Sequence, residues 1–347
     1  MEDIMDRREF IVSGACLANL ARSLRASDFS TNRDSSVMTV EGPVRPDELG
    51  TTLTHEHVLV DFIGADKVSP DRYDPEEAFR VILPHLQKLK RSGCNAFLEC
   101  TPAYLGRDPE LLLRLSRESG IRMLTNTGYY GAAQDKYLPS YAWEETADQL
   151  AERWTKEWEQ GIGSTGIRPG FIKIGVDSGS LSEVDAKIVR AAARTHLKTG
   201  LTIMSHTGPA VPAFEQLEIL QQEEVHPSAW IWTHAQGADS FEAHFRAAEK
   251  GAWIAFDGLK EEAFDRYGEF LREMKRRGWL DRVLVSHDAG WYTPGETEGG
   301  GFRGFTLLFE GFLPFLKKRG FAEEEINQVL VRNPAEAFSV RRRPLNS

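Results

Sequence analysis

Residues 52–59 read Thr-Leu-Thr-His-Glu-His-Val-Leu, a short apolar run that carries two histidines two positions apart. Such a run, about eight residues long and bounded by polar turns, is typical of a buried β-strand. Side chains alternate along a strand, so His55 and His57 point to the same side, about 6–7 Å apart at the backbone. Two imidazoles at that spacing suit chelation of one cation. Glu56 points the other way, and we expect it to pack or to hydrogen-bond around the site.

Seven further runs of the same kind follow, separated by amphipathic, helix-like segments. Two of these segments begin with a capping aspartate before a proline, at Asp74-Pro75 and Asp108-Pro109, as helices commonly do. The distance between successive runs is about 25–45 residues, which suits strand–helix units. Eight such units over about 300 residues predict an α/β fold, a (β/α)8 TIM barrel. The seven runs lie at 96–100, 122–125, 170–176, 201–206, 229–234, 252–256 and 282–286.

A doubly wound sheet is the structural alternative, and it would require a glycine-rich phosphate-binding turn after an early strand. Residues 161–166 have the glycine spacing of such a turn. They follow a helix-like segment and precede a strand, however, so we interpret them as a plain loop.

The composition excludes several classes of protein. The chain has 347 residues, with 42 Lys and Arg against 52 Asp and Glu, for a net charge of −10. An acidic chain whose basic clusters are no longer than three residues, such as Arg341-Arg342-Arg343 at the tail, is a poor candidate for binding nucleic acid. Three scattered cysteines form neither a disulfide framework nor a CxxC zinc motif. No apolar run approaches the roughly 20 residues of a membrane span.

The first 36 residues differ from the rest, and we divide the chain into an extension, 1–36, and a barrel, 37–347. Residues 6–12 place two arginines before a short apolar run, which resembles a twin-arginine export signal. A disordered or helical extension is the alternative. The first interpretation predicts an exported, periplasmic protein and the second a cytoplasmic one.

Four further strand runs end in, or contain, residues of the types that bind metals. Lys173 lies within an apolar run, where an unpaired ammonium is unfavourable. His206 and His234 close the runs after it, and Asp288 follows the last one. Functional groups of barrels sit at the C-terminal ends of the strands, so we expect all of these side chains to converge there. His287 points away from that side by alternation and is left outside the set.

The order HxH, Lys, His, His, Asp along the strands resembles the phosphotriesterase-like branch of the amidohydrolase superfamily, which includes lactonases. The resemblance covers residues 37–340. It rests on Thr54-His55-Glu56-His57, Ile172-Lys173-Ile174-Gly175, Ser205-His206-Thr207-Gly208, Thr233-His234, Ser286-His287-Asp288 and Arg332-Asn333-Pro334-Ala335.

This resemblance implies a binuclear metal centre at the C-terminal face of the strands. His55, His57 and Asp288 would hold the more buried metal, and His206 and His234 the more exposed one. Lys173, carboxylated by CO2, would bridge the two. The residue types favour two zinc ions, with manganese, cobalt or iron as alternatives.

The implied reaction is hydrolysis by attack of a hydroxide that the two metals share, with Asp288 transferring the proton. The expected substrate is a small lactone or carboxyl ester. A phosphotriester substrate at the same site is one alternative, and a catalytically inactive metal-binding barrel is another. We keep a homodimer as an open alternative for the assembly.

Substrate contacts are expected from loops after the strands. Tyr130 stands where lactonase-like members carry a tyrosine, and the glycine-rich segment 290–304 is expected to form a substrate-specific loop. Two glycines depart from the family pattern: Gly237, where an acid is common, and Gly258, where phosphotriesterases place a histidine and many lactonases an arginine. The usual proton shuttle is therefore not evident, and Asp257 is a candidate hydrogen-bonding partner instead. The candidate substrate contacts are Tyr130, Trp291, Tyr292 and Arg303.

Overall fold

The computed structural model describes residues 35–346, which form an α/β barrel with parallel strands inside and helices outside. A short antiparallel hairpin precedes the barrel, made of β1 (Val37–Thr39) and β2 (Gly42–Val44). The export-signal interpretation and nearly all of the proposed extension 1–36 lie outside the described residues, so both stay predictions.

Every one of the eight predicted strand runs contains a strand. All neighbours in the barrel are parallel, in the orders β12-β3-β4-β5 and β6-β7-β8-β9-β10-β11. The strands are β3 (Thr52–Leu59), β4 (Ala96–Glu99), β5 (Arg122–Leu124), β6 (Asn126–Thr127), β7 (Phe171–Gly175), β8 (Ile203–His206), β9 (Trp230–Thr233), β10 (Trp253–Phe256), β11 (Val283–Val285) and β12 (Gly290–Tyr292).

The third predicted strand differs from the expectation because it changes partner along its length. The predicted run, 122–125, contains β5, which pairs with β4, and the chain continues just beyond the run into β6, which pairs with β7. Between them, the Thr125 carbonyl accepts a hydrogen bond from the Gly170 amide at 2.7 Å. The split strand therefore joins the two sheets on this side of the barrel.

The barrel closes on its other side between β3 and the residues after β11. The Asp288 amide donates to the His55 carbonyl at 3.0 Å, and the His57 amide donates to the Ala289 carbonyl at 2.9 Å. We call this contact the closing seam. It brings the first and last predicted strands side by side and confirms the TIM barrel.

The helices begin where the capping residues predict. The Asp74 side chain accepts a hydrogen bond from the Glu76 amide, and Asp108 accepts from two amides of its helix. No helix among residues 35–346 has the length and apolar character needed to cross a membrane. The helices are α1 (Pro75–Arg91), α2 (Pro109–Ser119), α3 (Tyr141–Glu144), α4 (Ala147–Gln160), α5 (Glu183–Thr199), α6 (Ala210–Gln222), α7 (Phe241–Glu249), α8 (Phe264–Arg276), α9 (Leu313–Lys318), α10 (Glu323–Asn327) and α11 (Asn333–Ala337).

Strand alternation explains where the site lies relative to the core. Phe171 and Met204 belong to a fully buried apolar cluster that also contains Ile231 and Leu284. Two positions along the same strands, on the same face, stand Lys173 and His206. The apolar cluster therefore forms a floor, and the metal-binding side chains lie on its C-terminal side.

Candidate metal centre

The Asp288 carboxylate lies at the centre of the predicted ligands. Its Oδ1 is 3.2 Å from Nε2 of His57 and 3.9 Å from Nε2 of His55. Its Oδ2 is 3.8 Å from Nε2 of His234. Three imidazoles thus direct the same ring nitrogen towards one carboxylate, although two of them come from β3 and the third follows β9.

Lys173 and His206 complete the group. The Lys173 side chain is 1% exposed, and its Nζ lies 3.5 Å from Nε2 of His55. The His206 ring centroid is 4.4 Å from that of His234. The paired register of β7 and β8 sets Gly175 beside His206, so the lysine and this histidine come from adjacent strands. All six predicted ligand positions therefore lie together.

Hydrogen bonds behind the rings decide which nitrogen of each histidine is free. Nδ1 of His55 and Nδ1 of His234 each lie 2.7 Å from a different oxygen of Asp257. Nδ1 of His57 lies 2.7 Å from Oγ1 of Thr101, and that hydroxyl donates to the Leu59 carbonyl, so it accepts from the ring. Since Nδ1 carries the proton in each case, Nε2 presents a lone pair to the centre.

The electrostatic environment favours metal-binding forms of most of these groups. Burial lowers the pKa of His55 to about 4, and burial with the nearby His234 holds the pKa of His206 well below its ordinary value. Burial alone would raise the pKa of Asp288, but His55 and His57 outweigh it and lower that pKa. Both imidazoles are therefore neutral and the carboxylate is ionised near neutral pH. His234 differs: burial lowers its pKa, but Asp257 more than offsets this and the pKa is raised.

Glu56 holds the segment that carries Asp288. Its buried carboxylate accepts hydrogen bonds from the Ser286 hydroxyl at 2.8 Å, the His287 amide at 2.9 Å, the His287 ring at 2.6 Å and the Ala289 amide at 2.8 Å. Glu56 and His287 thus point away from the centre, as alternation predicts. Asp288 lies between His287 and Ala289, whose amides Glu56 holds. Its φ is +57°, a strained value for a residue other than glycine.

Three of the four predicted substrate contacts lie beside the centre. The Tyr130 ring is 5.1 Å from the His206 ring, and the Trp291 ring is 6.1 Å from the His57 ring. Arg303 lies over Trp291, with its guanidinium carbon 4.7 Å from the ring centroid, and donates to the Asp288 carbonyl.

Tyr292 does not lie there. Its hydroxyl donates to Glu77 on α1 at 2.9 Å, and its ring packs 6.3 Å from Tyr73. The expected loop 290–304 in fact begins as strand β12, and alternation along that strand turns Trp291 and Tyr292 to opposite sides. We therefore do not retain Tyr292 as a substrate contact.

The sequence argument missed two aromatic residues. Phe62 is 39% exposed and lies 5.4 Å from Trp291 and 6.2 Å from Tyr137, which in turn lies 5.9 Å from Tyr130. We call Trp291, Phe62, Tyr137 and Tyr130 the aromatic wall. The position of Phe62 just after the strand that carries His55 and His57 was a signal in the sequence, but position in a loop does not by itself reveal a contact.

The donor set fits divalent metals. His55, His57 and Asp288 offer three ligand atoms within 4.8 Å of one another, a common arrangement for zinc and related ions. His55, His234 and Asp257 form a second such group. Because the closest contacts in that group are the hydrogen bonds through Nδ1, we assign Asp257 to the support of the ligands.

Comparison with known proteins agrees with this geometry. The model of the phosphotriesterase family matches residues 35–338. The phosphotriesterase homology protein of Escherichia coli is 30% identical over 296 residues, which cover 84% of this chain and 99% of that protein. An aryldialkylphosphatase of Saccharolobus solfataricus is 27% identical, over 84% of this chain and 96% of that one. An N-acetyltaurine hydrolase of Dictyostelium discoideum is 23% identical, over 89% and 99%.

A solved structure is similar as well. The crystal structure of the Escherichia coli phosphotriesterase homology protein, complexed with phosphate in its active site, superposes with a TM-score of 0.74. The sequence identity is 28%, and the match covers 84% of this chain and 99% of that one.

Proposed function

The chain belongs to the phosphotriesterase family, and on that basis we propose that it is a metal-dependent hydrolase that opens lactones or cleaves other carboxyl esters. The observation that carries the proposal is the orientation of the histidines. His55, His57 and His234 all turn Nε2 towards Asp288, with their Nδ1 atoms held from behind. A structural histidine cluster would have no reason to leave three lone pairs facing one carboxylate.

Two divalent ions fit this donor set. His55, His57 and Asp288 would hold one ion, and His206 and His234 the other. When bound, such ions polarise a carbonyl oxygen and lower the pKa of water towards neutrality. Zinc is the metal that the residue types favour most.

Lys173 would join the two positions after carboxylation of its amine. In this step the neutral amine attacks CO2, an N–C bond forms and one proton is released, which leaves an anionic carbamate. The buried Nζ beside His55 supports the proposal. An ammonium there would contact one ring nitrogen of His55 but would have no described carboxylate within hydrogen-bonding distance.

Asp288 is the group placed to move the proton. Its pKa is lowered, so the carboxylate is ionised near neutral pH, and 22% of its side chain remains exposed, which leaves it open to the substrate side. It would accept the proton of the attacking water and return it to the leaving oxygen. With glycine at 237 and 258, the family's other proton carriers have no counterpart at these positions.

The aromatic wall supports an apolar substrate group. Tyr130 and Trp291 flank the centre on the sides of His206 and His57, so an acyl ring or chain would pack against their faces. Arg303, beside Asp288, is a cation at this rim.

A phosphotriester is the second candidate, and the likeness to an aryldialkylphosphatase favours it. An N-acyl substrate is a third, because several relatives are N-acetyltaurine hydrolases. All three share attack on a polarised C=O or P=O group. The identity of the substrate therefore needs a direct comparison.

The test begins with protein stripped by a chelator and reloaded with zinc, manganese or cobalt. Metal content is measured beside kcat/KM for matched panels of lactones, aryl carboxyl esters, N-acyl amino sulfonates and aryl dialkyl phosphates. We expect about two metals per chain and the highest kcat/KM on lactones or esters. His85→Gln, a histidine outside the centre, is the control. Full activity after exhaustive chelation would refute the metal dependence, and a phosphate triester as best substrate would replace the ester.

A further inference from the structure

Asp257 is a buried carboxylate that touches two histidines with different predicted metals. It follows β10 and is fully buried. Its Oδ2 lies 2.7 Å from Nδ1 of His55. Its Oδ1 lies 2.7 Å from Nδ1 of His234 and accepts the His234 backbone amide at 2.9 Å. One side chain therefore contacts both halves of the centre.

The third ring, that of His57, has a hydrogen-bonding partner that it does not share with the other two rings. Nδ1 of His57 meets the hydroxyl of Thr101, which makes no hydrogen bond to either of the other two rings. Thr101 thus acts on one metal position, whereas Asp257 acts on both. This difference gives a matched comparison within the same site.

A carboxylate at this place allows only one neutral tautomer of each ring. Both oxygens of an ionised carboxylate accept hydrogen bonds and neither donates, so each Nδ1 must carry the proton. We propose that Asp257 is the positioning residue that sets the metal-binding tautomer of His55 and of His234, one oxygen for each metal position. The expected effect on metal binding rests on the two-metal centre proposed above, whereas the tautomers themselves exist without metal.

Replacement by asparagine should separate the two oxygens. The backbone amide of His234 cannot become an acceptor, so the asparagine oxygen must take the place of Oδ1 and keep both contacts to His234. The asparagine NH2 then takes the place of Oδ2 and donates to Nδ1 of His55. This moves the ring proton of His55 to Nε2 and removes the lone pair that faces the centre.

The first experiment reads the tautomers in metal-free protein. Long-range 1H–15N spectra at pH 9, with His55 and His234 assigned from single histidine variants, report which ring nitrogen carries the proton. Wild type should show Nδ1–H on both rings. Asp257→Asn should move only the proton of His55, and Thr101→Val should leave both rings unchanged. An Nε2–H tautomer on either ring of the wild type, or an unchanged His55 in Asp257→Asn, would overturn the proposal.

The second experiment reads metal binding by competition with a chromophoric chelator. Asp257→Asn should keep one tight zinc per chain and lose the other. Asp257→Ala should weaken both positions, and Thr101→Val only one, each by about 10–100-fold. Equal weakening of both positions in Asp257→Asn would contradict the separate roles of the oxygens. If wild type shows the predicted tautomers yet binds no metal, the proposed function fails while this assignment stands.

Discussion

Replacement of Glu56 by glutamine tests whether the closing seam positions the reactive carboxylate. Three hydrogen-bond donors converge on its Oε1 and one, the Ala289 amide, on its Oε2. The glutamine oxygen would take the place with three donors. Its NH2 would then face the Ala289 amide, donor against donor, beside Asp288.

The size of the effect follows from those contacts. A buried amide left without a partner costs about 1–3 kcal/mol. For a domain of about 310 residues the entropy of unfolding is about 0.65 kcal/mol per degree, so about 2 kcal/mol of lost stability corresponds to a fall in Tm of roughly 3 °C. A displaced Asp288 should also lower kcat by about 10–100-fold, because catalytic geometry tolerates little misplacement.

Differential scanning calorimetry and steady-state kinetics on the best ester substrate measure both quantities. Glu76→Gln is the matched control, since Glu76 forms an exposed ion pair with Arg114 and such pairs contribute little. If Glu56→Gln melts within 1 °C of wild type and keeps half of its kcat, Glu56 does not position Asp288.

Three further predictions concern the centre and the stability of the barrel. Lys173→Ala should lose most activity and metal, and a short-chain carboxylic acid should partly restore both; near-normal metal content would remove the bridging role. Asp288→Asn should lower kcat by on the order of 100-fold or more, because it removes a ligand and the proton acceptor, as kinetics at saturating metal would show. Burial lowers the pKa of His196 from 6.5 to about 4, so its contribution to stability is complete above pH 6.5 and is lost as the pH falls towards 4. Urea unfolding at pH 7.5 and pH 4.5 should show a smaller loss of stability in His196→Gln than in wild type, by about 3 kcal/mol at most, because other buried histidines such as His55 contribute to the loss in both proteins.

Local patterns were enough to predict the strands and the side of β3 on which His55 and His57 lie. Each strand run is short, apolar and bounded by turns, and the alternation of side chains put His55 and His57 on one side, as the structure confirms. The capping aspartates likewise marked the starts of α1 and α2. These features depend on neighbours within a few residues, which is why the sequence alone contains them.

Contacts between distant segments were harder to predict. Nothing near Asp257 in the chain indicates that its two oxygens meet His55 and His234, because those contacts depend on how β10 lies between other strands. The sequence predicts Tyr292 beside the centre because segment 290–304 is expected to form a loop. Its first residues pair with β3 instead, and the pairing decides the direction of each side chain. The partner change of the third strand has the same origin.

The closing seam also orders events during synthesis. Glu56 bonds to residues 231 and 233 positions further along the chain, and the strand that carries His55 has no partner on that side before then. A nascent chain that stops before residue 283 holds both histidines of the HxH pair but lacks Asp288 and the edge that covers them. Contacts of such long sequence separation form late in folding. Metal should therefore be captured after the ribosome has released nearly the whole chain, and truncated chains should expose a strand edge that invites aggregation.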